Sequence, residues 1–148
     1  MTVTLNRNEI IMAAFVGVRR QCESVLMGSK DANYQQDSGW QAHIEGALGE
    51  MAFAKALGLY WDGSVNTFKT AADVGAIQVR TRSKPHYELI VRDNDRNDDL
   101  FALVRGKCPT YQIVGFIKGG QAKRFEWKKA HGGGVPAYFV PDSALTKF

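Results

Sequence analysis

A chain of 148 residues suits a single domain and is long enough to bury a hydrophobic core. Its 45% hydrophobic and 23% charged residues exclude a disordered segment, and 19 Lys and Arg against 15 Asp and Glu leave a net charge of +4. That mild excess suits a polyanionic partner without singling one out.

Asn6 or Asn8 caps a first helix, and Glu9 suits the positive end of its dipole. Ile10, Ile11, Ala14, Val18, Cys22, Val25 and Leu26 recur at helical spacing and mark its expected buried face, with Gly28 as the stop. The apolar run 10–18 is too short to cross a bilayer, so no membrane association is expected. Cys22 and Cys108, with no CxxC spacing and three scattered histidines, exclude a familiar zinc centre and read as reduced core thiols of a cytoplasmic protein.

Residues 29–39 are a polar loop, and a second helix is expected over 40–57. Gly46 and Gly49 each cost about 1 kcal/mol relative to Ala in such a helix, which points to close approach of another backbone. After a turn at 61–64 the period changes to two. A strand is expected over 65–68, then a clearer one over 77–82, with Ile77, Val79 and Thr81 on one side and Gln78, Arg80 and Arg82 on the other. Further strands are expected at 87–91, 100–105, 111–117 and 137–140, with a short helix over 121–129 and Trp127 as its core anchor. No linker or repeat divides residues 1–148. Helices come first, then a mostly antiparallel meander with a late helix, which defines an α+β or mixed α/β domain.

Chemistry concentrates at Asp73, in a bend leading into the strand that carries Gln78-Val79-Arg80. A divalent hard cation needs oxygen ligands from more than one segment, and a bend carboxylate, a side-chain oxygen and a strand carbonyl supply three. A third side chain comes from the second helix. Glu50 has Gly46, Ala47, Phe53 and Ala54 within one turn, and a carboxylate packed among them needs a partner. Glu45 competes for this role, but the Gly49-Glu50 context favours Glu50.

Gly49-Glu50-Met51-Ala52-Phe53-Ala54 on a helix, then Asp73, then Gln78-Val79-Arg80 resembles the core of the PD-(D/E)XK nuclease superfamily. The chain also resembles short bacteriophage and prophage proteins, with Val114-Gly115-Phe116-Ile117 and Tyr138-Phe139-Val140-Pro141 as the later matching pieces. The resemblance implies a restriction-endonuclease-like fold with a mixed central sheet flanked by helices. It implies a Mg²⁺- or Mn²⁺-dependent nuclease acting on DNA in the host cytoplasm. Glu50, Asp73 and Gln78 would be metal ligands, and these with Arg80 the catalytic set. The sequence does not fix the oligomeric state, and the resemblance is compatible with a homodimer, because cutting both strands of a duplex needs two sites. Two residues depart from the pattern. Gln78 is neutral where the family has an acid, and Arg80 stands in the lysine position and stays protonated. These departures motivate an alternative: a catalytically eroded module that binds nucleic acid or a host protein.

Arg80, Arg82 and Lys84, with Arg105 and Lys107 on a later strand, are candidates for a phosphate-facing surface. Lys118, Lys123, Arg124, Lys128 and Lys129 form a second basic cluster around Phe125 and Trp127, of the kind that stacks single strands. Residues 93–99 are rich in Asp and Asn, but Asp98 and Val104 occupy the glycine and glutamate places of an EF-hand loop. They read as an acidic loop between strands.

Overall fold

The computed structural model describes residues 1–28, 39–65, 71–131 and 134–148. It opens on a strand absent from the sequence reading, β1 (Thr2–Thr4), before helices α1 (Arg7–Leu26) and α2 (Gly39–Leu57). Asn6 caps α1 as expected. Its side chain accepts from the Glu9 N–H at 3.0 Å, and the Glu9 carboxylate accepts from the Asn6 N–H at 2.6 Å, a complete capping box.

The buried face of α1 is not the expected one. Ala13, Gly17 and Gln21 are its buried residues, whereas Ile11, Phe15, Cys22, Val25 and Leu26 face outward. Small residues win the interface because α1 and α2 pack backbone to backbone: a Cβ on Gly17 would come within 2.5 Å of the Ile44 Cα. The close approach expected at Gly46 and Gly49 thus belongs mainly to Gly17. Gly46 faces open space, and Gly49 leaves room for the Thr81 side chain. Both cysteines are exposed, which corrects their reading as core thiols.

The strands form two sheets. One has the order β1-β5-β4-β2, from β2 (Ile77–Arg82), β4 (Leu100–Lys107) and β5 (Thr110–Lys118); the other has the order β3-β7-β6, from β3 (Leu89–Val91), β6 (Lys128–Lys129) and β7 (Ala137–Val140). β2 runs parallel to β4, with Val79 opposite Ala102, and every other pairing is antiparallel. The result is the expected α+β fold with mostly antiparallel pairing, and the parallel β2–β4 pair makes its main sheet mixed. The expected strand 65–68 falls mostly on 66–70, outside the described residues.

The four-stranded sheet separates two apolar cores. On the helix side, Val79, Ala102, Val104 and Ile113 pack with Leu48, Ala52 and Phe53. On the other side, Phe101, Leu103, Val114 and Ile117 pack with Leu89, Val91 and Val140 of the second sheet. The alternation along β4 produces this division, since successive side chains point to opposite faces. The expected helix over 121–129 is replaced by a single turn, α3 (Gly119–Ala122), a 3₁₀ turn (Phe125–Trp127) and β6. Helix cannot continue there because Phe125 has no core to enter and Lys123 is drawn back onto the 93–97 loop. Trp127 does pack on the second core. No described helix is long and apolar enough to cross a membrane.

Candidate functional site

Among the described residues β2 is an edge of its sheet, and Asp73 caps that edge. The bend at 74–77 closes with paired backbone hydrogen bonds between Val74 and Ile77 (3.1 and 3.0 Å), and Gly75 takes the left-handed conformation (φ 60°) that the turn requires. This returns Asp73 alongside the strand, where its Oδ2 accepts from the Val79 N–H at 2.7 Å. An edge-strand donor that would otherwise face solvent is thereby used.

From this edge two groups of residues diverge. Gln78, Arg80 and Arg82 lie on the face turned away from the helices and, with Asp73, line a cavity of about 580 Å³. Its far wall is the loop after β3, with Arg92, Asp95 and Arg96. Arg80 is fixed across it: Nη2 meets Asp95 Oδ1 at 3.1 Å, and the guanidinium lies 5.2 Å from the centre of the Phe101 ring. Arg82 stacks on Tyr87 at 4.5 Å, and burial lowers its proton affinity. Its Nε is buried without a hydrogen-bond partner.

Glu50 reaches the same edge from the helix side. It is buried, and both its oxygens are engaged. Arg20 grips them in a bidentate pair, Nη1 to Oε1 at 2.6 Å and Nη2 to Oε2 at 2.9 Å, and the Trp61 indole N–H adds a 2.9 Å bond to Oε2. Arg20 is anchored in turn by its Nε, which donates to the Ser64 carbonyl at 2.9 Å. Burial disfavours the Arg20 charge, but Glu50 more than offsets this and the guanidinium holds its proton more tightly than usual.

Glu50 and Asp73 do sense one another. Burial first, and then the Glu50 carboxylate, raises the Asp73 pKa to about 6, against the opposing pull of the Val79 N–H, Arg80 and Arg20. An aspartate poised there exchanges its proton near neutral pH. Of the expected residues, then, Asp73, Gln78, Arg80 and Arg82 share one cavity. Glu50 adjoins it but does not line it, and Lys84 is exposed outside it, over the Tyr87 ring at 5.3 Å. Arg105 leaves the expected phosphate-facing set. It is buried, donates to the Tyr87 carbonyl at 2.7 Å and pairs with Asp142 at 2.6 Å, so its charge is spent inside the fold.

The donor set bears directly on a divalent ion. Asp73 has one oxygen not engaged by Val79, and Gln78 offers a neutral amide oxygen. The place beside Glu50 is held by a guanidinium. Among the described residues no three His, Cys, Asp or Glu side chains gather closely enough to hold a metal. As arranged, these residues do not fit a resident Mg²⁺ or Mn²⁺, which needs several oxygens at short range.

The 93–97 loop carries a cation of its own. Lys123 Nζ donates to the carbonyls of Asp93 (3.0 Å) and Asp95 (2.5 Å) and to Asn97 Oδ1 (2.8 Å), which uses all three ammonium protons. The loop that fails as a calcium site thus wraps an ammonium and presents Asp95 to Arg80. Arg20 and Trp61 were not legible as site residues, and Lys123, expected in a basic cluster for single strands, is turned onto this loop instead. The usable signal was Arg20 itself, a cation on the same helical stripe as Ala13 and Gly17.

The fold and site define an α+β domain with an arginine-lined cavity at an edge of a mixed sheet. Comparison with protein-family models, curated proteins and solved structures finds no match to this chain.

Proposed function

We propose that this chain is a nucleic-acid-binding module of the PD-(D/E)XK nuclease type, with guanidinium groups where such nucleases keep a metal ion, and that its cavity takes a DNA phosphate through Arg80. The observation that carries this reading is the bidentate Arg20–Glu50 pair beside Asp73. It gives the helix carboxylate a guanidinium partner and leaves Arg80, Arg82, Arg92 and Arg96 as the arginines that line the cavity. Arg80 suits a phosphate because its planar fork matches the anion, and the contact to Asp95 uses only Nη2.

A second reading keeps catalysis: a Mg²⁺- or Mn²⁺-dependent nuclease in which Arg20 gives way. The raised Asp73 pKa next to Glu50 favours it, because a divalent ion would relieve two adjacent acids. Fluorescence anisotropy with labelled duplex and single-stranded DNA at low salt, run beside a cleavage assay in MnCl₂, separates the two. On the first reading DNA binds, Arg80→Gln weakens binding by about tenfold, and the DNA stays intact. Cleavage that disappears in Asp73→Ala would establish the second. Absence of DNA affinity at low salt would sink both and turn attention to a protein partner.

A further inference from the structure

The face of α1 that fails to enter the core carries an unusual pattern. Ile11, Met12, Phe15, Val25 and Leu26 are 58%, 60%, 63%, 60% and 80% exposed, and Cys22 is exposed among them. At 100° per residue these six positions span roughly 140° of the helix, a single stripe. The five large side chains present on the order of 650 Å² of surface, above the few hundred Å² usual for a monomer's apolar patch and close to the ~800 Å² per partner of a stable interface.

The spacing identifies what covers the stripe. Its positions are symmetric about the midpoint between Val18 and Arg19: Ile11 mirrors Leu26, Met12 mirrors Val25, and Phe15 mirrors Cys22. A two-fold axis through that midpoint sets two antiparallel α1 helices together so that each residue meets its mirror position on the other copy. Every apolar residue then meets an apolar residue or Cys22. In each such pair the two residues lean to opposite sides of the seam, so they interdigitate. Arg19 lies within the stripe near the two-fold axis, so the two copies' Arg19 meet on one side of the seam, and Glu23 of each copy, one turn along on the same side, is placed to offset their charge. A heterologous partner would place no such constraint on the spacing.

We propose that the protein is an isologous dimer through this face, an antiparallel α1–α1 pair centred between Val18 and Arg19. The dimer does not depend on the nucleic-acid reading, since the stripe lies on the side of α1 away from α2 and the cavity.

Two measurements on the full chain test it. Sedimentation equilibrium should give a dimer for the wild type and a monomer for Phe15→Glu, with matching far-UV spectra because Phe15 is exposed, and with a melting temperature that rises with protein concentration in the wild type alone. The second test is positional. In a Cys108→Ser background, mild oxidation of Phe15→Cys should give a disulfide-linked dimer through Cys22 of the other copy, lost on Cys22→Ser. Within one helix, positions 15 and 22 are roughly 10 Å apart along the axis, too far for a disulfide, and so are the two Cys22 residues across the proposed pair. The Cys108→Ser protein without Phe15→Cys should therefore stay unlinked. A wild-type monomer at all concentrations overturns the proposal. So does a dimer that survives Phe15→Glu, or a dimer whose Phe15→Cys variant fails to cross-link.

Discussion

Replacing Asp73 with Asn removes a charge that the fold holds at a disadvantage. The carboxyl titrates at about 6 rather than 3.8, because it is buried and faces Glu50. Each tenfold change in proton affinity is worth about 1.36 kcal/mol, so at neutral pH the ionised form lowers stability by on the order of 3 kcal/mol. Asn keeps an oxygen for the Val79 N–H, but a neutral acceptor forfeits about 1 kcal/mol of the charge-assisted bond. The net gain for Asp73→Asn is roughly 2 kcal/mol at about pH 8, or about 4–8 °C in Tm for a chain of this size. That gain depends on pH. Between the unfolded and folded pKa values the native state binds more protons than the unfolded one, so the benefit of the neutral acid is complete below about pH 4 and lost as pH rises through about 6. The variant's advantage should accordingly vanish toward pH 4. Urea unfolding of both proteins across this range measures it. A variant that is no more stable at pH 8 would refute the electrostatic account, and a gain that persists undiminished at pH 4 would show a cause other than charge.

Arg20→Met leaves Glu50 buried without its counter-charge and should cost about 3–5 kcal/mol, whereas Arg20→Met/Glu50→Met together should recover most of it. A double variant as unstable as the single one would mean that the pair stabilises by packing alone. Lys123→Met removes the ammonium that closes the 93–97 loop and should lower stability by about 1–2 kcal/mol. Hydrogen-exchange protection in that loop should fall, and on the proposed nucleic-acid reading DNA affinity should drop several-fold as Asp95 ceases to position Arg80. Unchanged protection would remove Lys123 from this chain of support.

The elements that the sequence displayed were those whose local signals agree. The Asn6–Glu9 capping box, the alternation of Ile77 to Arg82, and the apolar runs of β4 and β5 each carry their instruction in neighbouring residues. α1 was legible as a helix but not in its facing, because hydrophobic periodicity points to the largest apolar stripe while packing selected the smallest residues. Gly17 can admit a second backbone; Phe15 cannot. The late helix failed similarly. Residues 121–129 have helical composition, but the bonds of Lys123 to a loop some thirty positions earlier belong to the tertiary fold. At the site, Asp73, Gln78 and Arg80 were visible because one bend and one strand carry all three. Arg20 was not, because its meaning depends on Glu50, which lies thirty residues away on another helix.

That partnership acts on the same edge as Gln78, the neutral residue at an acid position of the pattern that the sequence resembles. A metal-binding edge needs surplus negative charge before the ion arrives. Around this cavity the carboxylates are already matched: Glu50 with Arg20, Asp95 with Arg80, and Asp99 more loosely with Arg96. Asp73 differs, since its close contact is the backbone N–H of Val79 and its guanidinium neighbours act only at longer range. Neutral Gln78 removes one negative charge from the edge, and Arg20 cancels another from behind it. Either change taken singly would leave a partial site for a divalent ion. Together they reduce the surplus to Asp73, whose raised pKa already limits its ionisation near pH 6. A single carboxylate with an amide beside it does not hold Mg²⁺ against water. An anion is different, because it meets a fork of N–H donors at Arg80 that is positioned before it arrives. The features that leave the edge short of charge for a metal are thus the ones on which the proposed phosphate site rests.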